Sequence, residues 1–263
     1  MDPRVGEPLL FGMDGEPLFG CLHTPSSTPV TAAALLLPAA GHEYLSSHRS
    51  LRQLALRLAE RGCLTLRMDF RGCGDSSGAQ DSGGLAHWRD DAEQGLQLLA
   101  ARAPGARLHV LGLRLGASIA AQVGAQRAAA QRPLAGVALW DPVMAGDDYL
   151  RAALRLQMSR HSMRQHAADP GPFEVLGHRW SRSLVAELRA LVVADLRPAP
   201  AARLLLVDTC NAYGEALGAA WRALGADFEY RAIEAPDLWA GDGQVALIAT
   251  GVVPAMVDWL VPV

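Results

Sequence analysis

The stretch that decides the fold is His109-Val110-Leu111-Gly112-Leu113-Arg114-Leu115-Gly116-Ala117-Ser118. A strand runs into Gly112 and a helix leaves from about Leu115, so Arg114 stands on a tight strand-to-helix turn. A glycine flanks it two positions away on each side. The middle residue of such a turn is strained, and side chains at the flanking positions would block neighbouring backbone. Gly-x-Arg-x-Gly therefore has the context of a Gly-x-Ser-x-Gly nucleophile elbow in which only the central residue has changed. A guanidinium is protonated at neutral pH and cannot act as a nucleophile. Ser118 lies a helical turn further on and is read as facing its own helix or the sheet.

The elements around this turn alternate. Residues 8–23 read as a β-hairpin turning at Asp14-Gly15. Ala32 to Leu37 is an unbroken apolar run ending at Pro38, the pattern of a strand buried on both faces. His48 to Arg61 is amphipathic through Leu51, Leu54, Ala55 and Leu58, and Gly62 closes it. Cys63 to Phe70 is the next strand. A helix over 84–103 ends at Pro104-Gly105, a strand covers 107–112 and a helix 115–130. Strands follow at 134–140, 203–208 and 226–233, with helices at 213–224 and 245–261. Strands alternating with helices predict a mostly parallel central sheet with helices on both faces, edged by the antiparallel hairpin. Residues 144–200 break the rhythm, with helical stretches at 147–166 and 181–192 around Phe173-Glu174-Val175-Leu176. They read as an inserted helical lid within a single domain of residues 1–263.

Composition narrows the function classes. Half of the 263 residues are hydrophobic, 19% are charged and the formal net charge is −3, so nothing favours nucleic acid or an anionic membrane. Apart from histidine, every basic residue is an arginine. The N-terminus lacks a signal-peptide pattern. No apolar run approaches the ~20 residues of a membrane span. Cys21, Cys63, Cys73 and Cys210 have no metal-ligand or redox spacing, and Cys21 and Cys63 read as buried free thiols. A cytoplasmic protein with no metal and no cofactor is expected.

Other parts of a serine-hydrolase site are only partly present. Their order should be nucleophile, acid, histidine. Asp208 closes the strand 204–207 and is the candidate acid, with Asp141, after Leu139-Trp140, as a second. The histidine should follow about Ile233, but that segment reads Glu234-Ala235-Pro236-Asp237-Leu238-Trp239-Ala240-Gly241, and the last histidine of the chain is His178. The oxyanion region is better kept: Pro38-Ala39-Ala40-Gly41-His42-Glu43-Tyr44 follows the central strand, and the N–H of Leu115 starts the helix. Asp69-Phe70-Arg71-Gly72-Cys73-Gly74-Asp75-Ser76-Ser77-Gly78 is a glycine-rich turn after the second parallel strand.

That turn resembles the Asp-x-Arg-Gly-x-Gly-x-Ser segment of serine-aminopeptidase-type α/β hydrolases. More narrowly, Gly112-Leu-Arg-Leu-Gly-Ala117 resembles the arginine-bearing elbow of exosortase A system-associated hydrolase 2. Leu139-Trp-Asp-Pro-Val143 with Gly146, Phe173-Glu-Val-Leu-Gly177 and Ala235-Pro-Asp-Leu-Trp239 fit the same family. The resemblance spans roughly residues 30–260. It implies an α/β-hydrolase fold and an association with bacterial exopolysaccharide and protein-sorting gene clusters; the name hydrolase comes by homology.

Arg114 has two readings. One is an anion site, with Arg114, Leu115, Ala40, Gly41, His42, Glu43, Asp141 and Trp239 as candidate binding residues at a helix N-terminus. The other is an internal ion pair with Glu43, Asp141 or Asp208. His42 and Glu43 are read as a polar rim, with His42 as the candidate base of a non-standard mechanism. Trp239 reads as lining the pocket or as a core residue. His161 and His166 read as surface residues of the lid, Arg151, Arg155, Arg160 and Arg164 as its solvated face, and Asp90 and Asp91 as helix and loop contacts. The joint loss of nucleophile and base predicts a hydrolase-like protein without serine-hydrolase activity. It would bind a small acyl, carboxylate or phosphate-bearing ligand, a partner protein or a second copy of itself. The rivals are an ester or thioester hydrolase or acyl transferase of non-standard mechanism, in exopolysaccharide or natural-product biosynthesis, and a purely structural interaction protein.

Overall fold

A computed structural model describes residues 6–26, 29–160, 173–209, 214–235, 239 and 249–261. The hairpin β1 (Glu7–Met13) and β2 (Glu16–His23) leads into β3 (Ala32–Leu37), α1 (Glu43–Glu60), β4 (Cys63–Met68), α2 (Leu85–Arg102), β5 (Arg107–Leu113), α3 (Leu115–Ala129) and β6 (Gly136–Trp140). Next come α4 (Gly146–Arg160), the short hairpin β7 (Phe173–Val175) and β8 (His178–Trp180), and α5 (Arg182–Ala190). The chain then forms β9 (Arg203–Asp208), α6 (Gly214–Arg222), β10 (Asp227–Ala232) and α7 (Val252–Leu260). The main sheet has the order β1-β2-β4-β3-β5-β6-β9-β10. β1, β2 and β4 pair antiparallel in turn, and every other ladder in this sheet is parallel. This is the α/β-hydrolase fold, with β5 and its elbow at the centre.

The apolar strands are buried on both sides, and their period of two divides them between two cores. Ala33, Leu35 and Leu37 of β3, Val137 and Leu139 of β6, and Leu204 and Leu206 of β9 face α2, α3 and α6. The alternate residues Ala34, Leu36, Ala138, Trp140, Leu205 and Val207 face α1 and α7. Each of these strands is therefore covered by helices, which is why it reads as a solid apolar run.

Helix α1 begins at Glu43, not near His48 as its apolar spacing predicts. Its first turns bury Ser46, Ser47 and Ser50, whose small polar side chains leave no apolar periodicity to read. Helix α7 starts at Val252; the preceding described residues form a turn, and 245–248 lie outside the described residues. So do His161, His166, Arg164 and Cys210. Cys63 is buried as expected, but Cys21 is only half-buried, because it lies on β2 near the sheet edge. Between β6 and β9 the chain leaves and returns at one place. Gly146 N donates to Leu191 O at 3.0 Å, and Val193 N donates to Met144 O at 2.9 Å. On α4, Arg151 pairs with Asp147 and Asp148 in its own first turn, and Arg155 is exposed. No helix among the described residues is long and apolar enough to cross a membrane.

Candidate functional site

The elbow is sterically built. Arg114 has φ 53° and ψ −120°, a region that non-glycine residues rarely adopt. A Cβ on Gly112 would lie 2.3 Å from Gly116 O, and one on Gly116 would lie 2.2 Å from Pro38 O. Both glycines are thus needed where β5, α3 and the end of β3 meet. Ser118 is fully buried and donates to Val143 O at 2.7 Å, which ties the start of α3 to the loop after β6.

Arg114 is held by Glu43. Its Nε and Nη2 lie 3.0 and 2.9 Å from Glu43 Oε1, and its Nη1 donates to the Asp141 carbonyl at 3.1 Å. The other carboxylate oxygen of Glu43 accepts from the Tyr149 hydroxyl at 3.3 Å. Glu43 is therefore no loop-rim residue. It is the buried first residue of α1, and helix geometry turns its side chain inwards to the elbow. His42 stands just before it as the N-cap, without capping the helix through its side chain. Burial pushes the Glu43 carboxyl up, with Arg114 opposing the shift. Burial also works against the Arg114 charge, but Glu43 more than compensates and holds the guanidinium protonated.

Trp239 stands in the segment after the last strand, where a base is expected. It is buried, its Nε1 donates to Asp141 Oδ2 at 2.8 Å, and its ring centroid lies 5.5 Å from the Arg114 guanidinium carbon. Asp141 also accepts from Thr209 N at 2.7 Å and Thr209 Oγ1 at 2.5 Å. Asp208, at the end of β9, accepts from the Tyr230 hydroxyl at 3.4 Å. Among the described residues the arrangement is thus Arg114, Trp239 and Asp141, with no titratable base between cation and carboxylate.

Two aromatic residues missed by sequence reasoning complete the site. Tyr149 of α4 faces the Arg114 guanidinium at 5.9 Å and stacks on Trp180 of β8, with centroids 5.9 Å apart. A Cβ on Gly41 would be 3.6 Å from the Trp180 ring. The sequence signals were an aromatic in the first turn of α4 and one at the end of β8, but neither spacing says what it faces. On the oxyanion side, Ala40 is buried beside Gly41, and the Leu115 N–H is among the first in α3, which have no partner in the helix ladder. Among the described residues no group of three or more His, Cys, Asp or Glu side chains is arranged to hold a metal.

The family model described as "Serine aminopeptidase, S33" matches residues 39–182. No curated protein matches the sequence. Among solved structures, the chain is similar to the ferulic acid complex of Est1E from Butyrivibrio proteoclasticus, with a TM-score of 0.68 and 17% identity over 95% of this chain and 97% of that one. XC6422 from Xanthomonas campestris, described as an α/β serine hydrolase without a lid, gives 0.63 and 14% over 98% and 96%. The Pyrococcus furiosus esterase Pf2001 gives 0.63 and 15% over 97% and 91%. At these identities the likeness is one of fold.

Proposed function

The chain belongs to the serine aminopeptidase S33 family of α/β hydrolases, and from that premise we propose a member without serine-hydrolase activity that binds a small acyl ligand noncovalently at its elbow. The observation that carries this reading is the buried Arg114–Glu43 pair standing where a nucleophile would be. An arginine cannot attack a carbonyl, and Trp239, unlike histidine, is a donor only and cannot take a proton from a nucleophile. A guanidinium has five N–H donors. Nε and Nη1 donate to Glu43 and the Asp141 carbonyl and Nη2 lies at ion-pair distance from Glu43, which leaves guanidinium N–H groups for a ligand. Glu43 already balances the charge, so a carbonyl or a monoanionic carboxylate suits the site better than a phosphate dianion. Residues 144–200 act as the lid in this proposal, supported by Tyr149 and Trp180 lying over Arg114 and Gly41. The narrower kinship with exosortase A system-associated hydrolase 2 and a cytoplasmic location belong to the same proposal; the arginine-bearing elbow supports the kinship.

The test is p-nitrophenyl ester hydrolysis and fluorophosphonate labelling read by intact mass. The wild type gives neither adduct nor turnover above background. Arg114→Ser combined with Trp239→His accepts the label, because it restores both nucleophile and base beside Asp141. Hexanoate raises the thermal midpoint of the wild type and not that of Arg114→Leu. A wild-type adduct, or wild-type turnover, overturns the proposal.

A further inference from the structure

A polar cavity lies on the α1 side of the sheet, lined by none of the Arg114, Glu43, Asp141 and Trp239 side chains of the elbow. On this face β4 presents Thr65 and Arg67 at alternate positions, followed by Asp69, where the other strands present apolar residues to α1. β2 pairs alongside, with Cys21 opposite Arg67. The first turns of α1 bridge above them. They enclose a cavity of about 200 Å³ whose walls include Arg67 and Asp75 as well as Phe19, Leu51 and Met68.

The charges on these walls are left open. Arg67 gives Nε to His23 Nε2 at 3.2 Å, and its terminal nitrogens have no acceptor among the described residues. Asp75 is exposed and has no cationic partner among the described residues, while its backbone N–H is fixed on Asp69 Oδ2 at 3.1 Å. The Asp69 carboxylate is occupied, since Tyr44 donates to its other oxygen at 2.8 Å. A guanidinium and a carboxylate thus line one cavity without meeting each other; Phe19, Leu51 and Met68 give it an apolar side, and Tyr44, Ser47 and His48 complete the wall.

We propose that this cavity binds a small zwitterion with an apolar body, of the class of aliphatic α-amino acids, with its carboxylate on Arg67 and its ammonium towards Asp75. A neutral molecule would engage neither charge in a charged hydrogen bond, and a simple anion or cation would engage only one. The volume is below that of ordinary drug-sized sites, which run to roughly 300–1,000 Å³, and so restricts the ligand to about one amino acid. The apolar wall takes the side chain.

Isothermal titration with L-leucine tests this, with 4-methylpentanoate and isoamylamine as analogues carrying one charge each. With the elbow saturated by hexanoate throughout, leucine gives a saturable isotherm and the two analogues do not. Asp75→Asn, on an exposed side chain, weakens leucine at least about tenfold, the worth of one charged hydrogen bond; Arg67→Gln does the same. Omitting the hexanoate leaves the leucine isotherm in place, which separates this cavity from the elbow. No saturable heat at tens of millimolar leucine overturns the proposal, as does equal binding by either analogue or binding indifferent to Asp75→Asn.

Discussion

Two arginine–carboxylate pairs stand at the same end of the sheet, and they differ in where their other bonds go. Asp91, fully buried on α2, accepts from Arg71 Nε at 2.9 Å and Nη2 at 2.7 Å, and also from the Arg71 backbone N–H at 2.9 Å. The Arg71 carbonyl in turn accepts from Trp88 Nε1 at 3.1 Å. That pair is a clamp between one helix and the glycine-rich loop. Glu43 has no such backbone bond to Arg114: its second oxygen is held by Tyr149, from the segment between β6 and β9. Burial raises both carboxyls, each opposed by its arginine, so electrostatics alone does not separate them. The bonding pattern does. A carboxylate that holds backbone fixes the fold, whereas one that holds only side chains from distant segments sets the contents of a pocket.

The strongest way to break the comparison is Asp91→Ala. It strands the Arg71 cation and frees a loop N–H together, so stability falls by about 3–5 kcal/mol, the usual cost of halving a buried pair, measured by urea denaturation. A smaller effect separates both pairs from acid sensitivity. His109 is buried on β5, neither ring nitrogen has a partner among the described residues, and burial lowers its pKa to about 4. The folded value lies below the unfolded 6.5, so this stability is present above pH 6.5 and is lost as pH falls towards 4. The loss is about 3 kcal/mol, and His109→Met abolishes it in urea titrations across that range. The raised carboxyls act with the opposite sign: their contribution is greatest in acid and declines as pH rises through their folded values, so changing Glu43 or Asp91 does not remove the acid loss. Tyr149→Phe deletes only the hydroxyl bond to Glu43 and costs about 1 kcal/mol by the same measurement. The smallest effect is the sharpest. Replacing Arg114, Glu43 and Tyr149 together by Met, Leu and Phe leaves stability within about 1 kcal/mol of the wild type, because an apolar set of similar volume can stand in for a buried pair. A loss as large as that of Asp91→Ala would show that both pairs are scaffold.

The residues differ in how much of this could be read beforehand. Gly112 and Gly116 declared the elbow because the Gly112 clash lies within the turn itself, with Gly116 four positions on, and the Gly116 clash is with the end of β3, the strand beside β5 in the sheet. The partner of Arg114 did not declare itself. Glu43, Asp141 and Asp208 all stand at or after strand termini at one end of the sheet, and only the early start of α1 turns the Glu43 side chain inwards. The buried serines that hid that start are small polar residues, which mark no face of a helix. Tyr149 was overlooked because its partners lie more than thirty residues away in either direction along the chain.

The sequence by itself determined the doubly covered parallel sheet, the elbow and the absence of a histidine after the last strand. These follow from local sterics, from the period of side chains along strands and from residue identity, which need no knowledge of distant contacts. Tertiary structure alone decided that Arg114 is neutralised by Glu43, that Trp239 rests on Asp141, and that Arg67 and Asp75 share a cavity without pairing. Those are matters of a few ångströms between segments far apart in the chain, set by how helices pack on the sheet, and no pattern of spacing encodes them.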